Sequence, residues 1–556
     1  MTRDAFGRWL RTVRHLRVQQ VAGQVRLRLR GDAAPAHRPA AAPALAFEAP
    51  ATPFLPGPPY AFSDGARRFR LRNREVAFAE RVDWDFAGEG PLWAYDLHSF
   101  GWAQRASLAP GARRALVLDW IARHPRGVGW SPHPTSLRTL SWLALLLTPG
   151  ALGAGDAARA EILASLGAQT GFLASRLETH LLANHYLSNL LSVTLCGVAL
   201  EGGGAAGWLA HERRLRAELA EQVLADGLHC ERSPMYHACL LENVLDGVNL
   251  VAAKPGRVPD ALREALADAA ARMLGALAVL THPDGEIALF ADSAFGIAHP
   301  PAVLADYAAR LGVAPRPPQR PGVLDRGGYV RLEHGPFVLI ASVAGPMPAH
   351  QPGHAHCDAL AFELSVAGER VVTDTGVFEY VPGPLRDLSR ATRSHATLEV
   401  GGREQAEVWA AHRIGGRPVV TLDIVTPGAS AAARCAGWAT PDTRHHRVFE
   451  MQGDAIAIRD RLEGRARPAR FALPLAPGVE VRVDGSRARL RLPGGSWLRA
   501  ELDGGPALCA ERAPYFPEFG RRIERAVLVA EADPWPATTL RITRARTLGA
   551  GGAPGG

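Results

Sequence analysis

The sequence predicts a multidomain α+β protein in which a block of helical hairpins is followed by a block of antiparallel β-sheet. Three observations carry that expectation. Between about residues 108 and 311, leucine and alanine recur at i, i+3, i+4 spacing, the pattern of helices with a buried face. Beyond residue 322 the apolar period falls to two, as in strands. Between the blocks lies Pro315-Arg316-Pro317-Pro318-Gln319-Arg320-Pro321-Gly322, where each proline removes an amide donor and restricts the residue before it, so a helix cannot propagate through. A length of 556 residues allows about three to four units. With 47% hydrophobic and 21% charged residues the composition is globular, which excludes a fibre or a wholly disordered chain.

Residues 1–58 read as a basic N-terminal segment and an Ala/Pro-rich linker, the linker occupying 31–58. Phe6, Leu10, Val13 and Val21 can line an arginine-rich amphipathic helix. Such a helix can make peripheral contact with an anionic membrane surface, but docking on its own domain is the reading favoured here. Arginine or glutamine interrupts every apolar run in the first thirty residues, so no secretory signal is readable and a cytoplasmic chain is expected from these residues alone. Residues 59–314 form the helical domain. Its breaks at Pro149-Gly150, Gly202-Gly204 and Pro255-Gly256 separate helices of roughly 12–20 residues, which suit antiparallel pairs stacked as a bundle, solenoid or ring. After the 315–322 linker, strands are expected at 329–333, 337–340, 359–366, 370–373, 447–451, 455–459 and 479–483. Many short strands of this kind close as a sandwich or barrel across 323–548, and 549–556 is a flexible Gly-rich tail.

A formal charge of +8 admits either nucleic acid or an acidic polymer as partner. Arginine is spread along the chain with enrichment only at its start, which disfavours nucleic acid. Six cysteines without a CxxC pair read as buried thiols. Apolar stretches such as 273–280 fall far short of the ~18–20 residues that cross a bilayer, so no transmembrane segment is expected.

Polar chemistry concentrates in three places. His350-Gln351-Pro352-Gly353-His354-Ala355-His356-Cys357-Asp358 leads into an alternating strand, and if that strand extends back, His354, His356 and Asp358 share a face. With Asp374 and His395 downstream, a His/Asp/His set suited to zinc is available. The second cluster, at 178–189, loads polar groups onto a leucine-rich helix. His180 and Asn184 stand at i, i+4, and Glu178 and His185 seven apart; hydrogen bonds between neighbouring helices explain any one of them as well as function does. The third, at 226–237, is a loop that enters a helix just before Tyr236 and His237.

These motifs resemble those of the heparinase II/III-like polysaccharide lyases. The resemblance is carried by Leu92-Trp93-Ala94-Tyr95-Asp96-Leu97-His98, Trp130-Ser131-Pro132-His133-Pro134-Thr135-Ser136-Leu137-Arg138 and Leu182-Ala183-Asn184-His185, then by Glu231-Arg232-Ser233-Pro234-Met235-Tyr236-His237. In the β half it is carried by His354-Ala355-His356-Cys357-Asp358, Asp374-Thr375-Gly376 and Arg393-Ser394-His395. It implies an alginate-lyase-like (α/α) toroid over 59–314, followed by an antiparallel β-sandwich, and β-elimination on a uronate-containing acidic polysaccharide that leaves 4,5-unsaturated ends.

By the same resemblance Asn184 neutralises the uronate carboxylate, and Tyr236 and His354 are the catalytic tyrosine and histidine. His185, Glu231, Arg232 and Arg138 bind substrate. His356, Asp374 and His395 hold a structural zinc, with no organic cofactor. Tyr236 is expected to act as acid and also as base if nearby positive charge lowers its pKa, with His354 the alternative base. The family usually acts in the periplasm or cell envelope. Two other functions compete: a glycoside hydrolase on the same toroid, drawing on Glu178, Glu231 and Asp292 as acids, and a non-catalytic acidic-glycan-binding or exopolysaccharide-assembly protein.

Overall fold

The computed structural model describes residues 2–30, 42–64, 67–105, 107–124, 127–153 and 155–544. The expected Gly-rich tail and residues 31–41 of the expected linker lie outside the described residues.

Helices α1 (Arg3–Val13) and α2 (Val18–Arg30) precede α3 (Pro91–Ser99), α4 (Pro110–Arg123), α5 (Pro132–Leu147) and α6 (Asp156–Ser175). Next come α7 (Ala183–Ala199), α8 (Ala205–Leu209), α9 (Glu212–Gln222), α10 (Pro234–Ala253), α11 (Asp260–Val279) and α12 (Pro301–Arg310). Helices α3, α4, α5, α10 and α12 each start on a proline, a position where the missing amide costs nothing and the fixed φ is already helical. From α3 onward the helices curl into an (α/α) toroid around α7, whose Leu187, Leu190, Leu191 and Leu195 are fully enclosed by α5, α6, α9 and α10. The helical half also holds a small meander at Ala61–Ser63, Arg68–Leu71 and Arg74–Ala77, which periodicity did not reveal.

The C-terminal half is an antiparallel β-sandwich. One layer is an eight-stranded sheet running from Val419–Thr426 to Glu480–Asp484. Its strands alternate buried and open residues, as Ser430–Ala436 does, because one face is solvated. The opposing layer joins a five-stranded sheet, centred on Phe337–Ser342, to a four-stranded sheet, centred on Ala469–Pro474 and Ile523–Ala532, through a bridge between Val372 and Leu475. Phe337–Ser342 and Phe362–Val366 are buried on both faces. Their second face packs on the toroid, where Leu228, Ala276, Leu280 and Phe290 meet Tyr329, Ile340 and Ala361. This apolar seam fixes the two domains side by side.

The structure corrects several expectations. Residues 176–182 are not helical, so His180 and Asn184 share no helix face. The strand expected at 359–366 begins at Phe362, and the preceding loop removes the shared face proposed for His354, His356 and Asp358. Residues 42–58 are no loose tether: Ala44–Leu45 pairs with Leu200–Glu201, and Asn249 donates to the Thr52 carbonyl at 2.8 Å.

Arg232, expected to bind substrate, is instead a domain joint. Its buried guanidinium donates to the carbonyls of Gly327, Gly328, Ala344 and Gly345 and to Ser342 Oγ, at 2.5–3.2 Å. Tyr329 returns a 2.7 Å bond to the Arg232 carbonyl. Arg232→Ala takes the donor from these largely buried acceptors and is expected to destabilise the protein by about 3 kcal/mol, read as a lowered denaturation midpoint; an unchanged midpoint contradicts the role.

Candidate active site

A cavity of about 890 Å³ opens between toroid and sandwich, and Asn184, His185, Glu231, Tyr236, His354 and Tyr380 contribute to its wall. Each of the first four is fixed by local structure. Asn184 is the second residue of α7, preceded by Leu182 and Ala183 at φ 63° and 49°. Left-handed backbone at two consecutive non-glycine residues costs on the order of 1 kcal/mol each and persists only where tertiary contacts hold it. Those contacts come from Glu231, which accepts from Asn184 Nδ2 with both carboxylate oxygens, at 2.8 and 2.9 Å. Ser233 caps α10 by accepting from the Tyr236 amide at 3.1 Å, which sets the first turn carrying the phenol. His185 Nδ1 lies 3.1 Å from Glu178 Oε1, and Asn189 braces the same carboxylate.

The sandwich completes the same wall. The His354 ring lies over Tyr236 with centroids 4.1 Å apart, and His354 Nε2 is 3.5 Å from Asn184 Nδ2. His354 Nδ1 points the other way, 2.8 Å from Asp292 Oδ2. Asp292 is wholly buried, holds His356 Nε2 at 2.8 Å and is forked by the Arg386 guanidinium. Burial alone would raise its pKa, but the Arg386 charge and the bonds to both histidines outweigh that and hold it well below the usual carboxylate range. The ionised Asp292 accepts from His354 Nδ1–H, which turns Nε2 toward Asn184 and the cavity.

The Tyr236 hydroxyl meets that of Tyr380 at 3.0 Å. Burial pushes the Tyr236 pKa up, and neither the Tyr380 bond nor the Arg72 charge reverses it, so the phenol keeps its proton. The expectation of a lowered tyrosine pKa is thereby corrected: desolvation exceeds the positive charge available.

His133 stacks on His185 with centroids 4.2 Å apart and planes at 27°. With Glu178 they offer donor atoms within 4.8 Å of one another, but that carboxylate is already bonded to His185 and Asn189. Burial and then the His185 charge push His133 down to about 3. Burial would lower His185 as well, but Glu178 outweighs it and leaves His185 above its ordinary value. A second grouping, Asp292, His354 and His412, already contains the Arg386 cation. The third differs. His356, Asp374 and His395 are all buried and offer donor atoms within 4.8 Å of one another. Among the described residues His356 Nδ1 and His395 Nε2 have no hydrogen-bond partner, so the donors fit a divalent metal.

Tyr236, His354 and Asn184 thus converge at one wall, with His185 beside them, whereas two arginines expected to bind substrate do not reach it. Arg138 is fully buried, bonded to Gln169, the His98 and Gly129 carbonyls and Thr135, and lies 4.1 Å over the Trp120 ring. Arg232 is the domain joint described above. Glu231 is spent on Asn184. Sequence reasoning missed Tyr380 and Arg386 and weighed Asp292 only as a hydrolase acid. A lone acid behind the apolar run 287–291 was a faint signal for Asp292; Tyr380 carried none.

Two family models match the chain: "Heparinase II/III N-terminus" over residues 156–308 and "Heparinase II/III-like, C-terminal" over residues 316–543. FtsZ-localized protein C of Caulobacter vibrioides is 28% identical over 298 residues, which is 52% of this chain and 50% of that protein. A heparin-sulfate lyase of Pedobacter heparinus is 27% identical over 208 residues, 33% of this chain and 30% of that enzyme. The chain therefore spans half or less of the length of these curated relatives. A heparinase III crystal structure superposes with a TM-score of 0.68 at 16% identity, covering 84% of this chain and 80% of that one, a likeness of fold.

The Glu178–His185 pair predicts a pH signature. His185, raised above its ordinary 6.5, stabilises fully below that value and loses the effect as pH rises through its folded pKa. For Glu178 burial acts upward, but His185 and Asn189 outweigh it and bring the carboxyl below its ordinary 4.5, so its contribution is complete above that value and lost as pH falls. The Tm difference between the protein and Glu178→Gln should therefore peak between pH 4.5 and 6.5; a pH-independent difference contradicts the pair.

Proposed function

Because the chain belongs to the heparinase II/III-like family, we propose that it is a polysaccharide lyase that cleaves a uronate-containing acidic polysaccharide by β-elimination. One observation carries this reading: a phenol, an imidazole and an amide from three distant stretches of chain meet at a single wall of the interdomain cavity.

The difficulty of the reaction is the weak acidity of the C5–H bond beside the carboxylate, since its loss spreads a second negative charge over that group. Asn184 is suited to this charge. Glu231 fixes the orientation of its amide nitrogen, which lies 3.5 Å from His354 Nε2 and can turn an N–H to a carboxylate that enters beside that ring. His354, oriented by Asp292, takes the C5 proton through Nε2. Tyr236, a neutral phenol, gives its proton to the departing O4, and Tyr380 stabilises the oxygen left behind. A hydrolase reading needs two carboxylates free to flank the bond. Glu178 is instead bound to His185, Glu231 to Asn184 and Asp292 to Arg386.

We further propose that His356, Asp374 and His395 hold zinc as a structural cross-link. His356 also bonds Asp292, so the metal would stiffen the residue that orients His354.

A screen of uronate polymers should give a rise in ultraviolet absorbance from the conjugated enol ether product, and Tyr236→Phe should lower kcat about 10²–10⁴-fold. Products one water heavier would support the hydrolase, and binding without turnover the non-catalytic protein. Elemental analysis should find about one zinc per chain, and His395→Ala should lose it with a fall in Tm; metal-free protein of unchanged Tm contradicts the zinc proposal.

A further inference from the structure

We infer that α1 and α2 form a docking surface for an anionic lipid bilayer. The two helices sit on the body of the protein the wrong way round for a water-soluble amphipath. In α1, Phe6, Trp9, Leu10 and Val13 fall at i, i+3, i+4 and i+7 and form one stripe, of which Phe6, Trp9 and Leu10 are exposed by 49%, 45% and 44%. The polar side faces the protein: Arg11 is paired with Glu407, Arg8 lies over the Trp409 ring, and Trp409 Nε1 donates to Thr12 Oγ1.

The same inversion holds in α2. Val18, Val21, Val25 and Leu29 form an outward row, with Val18 and Leu29 more than four-fifths exposed. Gln20 and Gly23 are the buried positions. Of the twelve large apolar side chains exposed among the described residues, eight belong to these two helices.

Charge selects the occupant. Residues 2–30 carry eight arginines against one carboxylate, Asp4. Arg3, Arg14, Arg26 and Arg28 are exposed and have no carboxylate partner among the described residues. Apolar residues in open rows, interleaved with arginines whose stems can bury while their heads stay at the phosphates, match the boundary of an acidic bilayer. A protein partner would want a shaped, desolvated core with few charges.

The surface is also tied to the cleft. Gln20 Nε2 donates to the carbonyls of Leu181 and His350, on the segments leading to Asn184 and His354. Gly23 lies so close to residue 180 that a Cβ would come 2.7 Å from the His180 amide. A docked α2 would therefore hold the cavity at a fixed height above the lipid. This inference does not depend on the chemistry proposed for the cavity.

The test is co-sedimentation of the full chain with vesicles of phosphatidylglycerol and phosphatidylcholine, and with phosphatidylcholine alone. Binding is expected only to the acidic vesicles, weakening as salt rises. Phe6→Ser/Trp9→Ser/Leu10→Ser should weaken it about tenfold or more at unchanged Tm. Arg14→Glu/Arg26→Glu/Arg28→Glu should do the same, independently of the apolar change. Absence of binding, equal binding to neutral vesicles, or binding unaffected by both triple variants overturns the inference. Lipid-free self-association that the apolar triple variant abolishes, without vesicle binding, assigns the face to a second copy and also overturns it.

Discussion

A carboxylate taken wholly out of water survives as an anion only if its neighbours replace the solvent, and at Asp292 they come from the opposite half of the molecule. Asp292 belongs to the loop that follows the last long toroid helix, whereas Arg386, His354 and His356 belong to the sandwich half. Removing the Arg386 charge would strand a buried anion at a cost of about 3–5 kcal/mol. The same contacts decide which nitrogen of His354 faces the cavity and bring His356 to Asp374 and His395. Domain docking, proton-transfer geometry and the proposed metal site are therefore one network around a single side chain.

The cavity wall is built on backbone that is unfavourable in isolation. Ala183 precedes Asn184, Arg232 follows Glu231 and Ala291 precedes Asp292, and these three flanking residues have φ of 49°, 61° and 56°. A non-glycine residue in that region turns the chain sharply and aims the adjacent side chain inward, and the contacts across the domain seam hold it there. Folding of the seam and assembly of the site are coupled for this reason.

The order of the domains was legible because it is written in local chemistry. The breaks at Pro149-Gly150, Gly202-Gly204 and Pro255-Gly256 fall between α5 and α6, α7 and α8, and α10 and α11. The short loop 176–182 was not legible, since its leucines continue a helical pattern and no glycine marks the turn at Leu182 and Ala183. In the site, Tyr236 stood out as a polar residue at a helix start, but Tyr380 lies 144 positions away and meets it only through the fold. Arg138 and Arg232 misled for a physical reason: arginine suits an anionic ligand and an array of buried carbonyls equally well, and sequence does not tell one set of acceptors from the other.

The central claim is that the wall formed by Tyr236, His354 and Asn184 removes the proton at C5 of a uronate. Turnover of a substrate deuterated at C5, carried out in water enriched in oxygen-18, tests it most directly. The account predicts that deuterium appears in the solvent in step with each unsaturated end, with a primary isotope effect and no oxygen-18 in the product. Products that keep their deuterium and carry solvent oxygen at the new reducing end would contradict it.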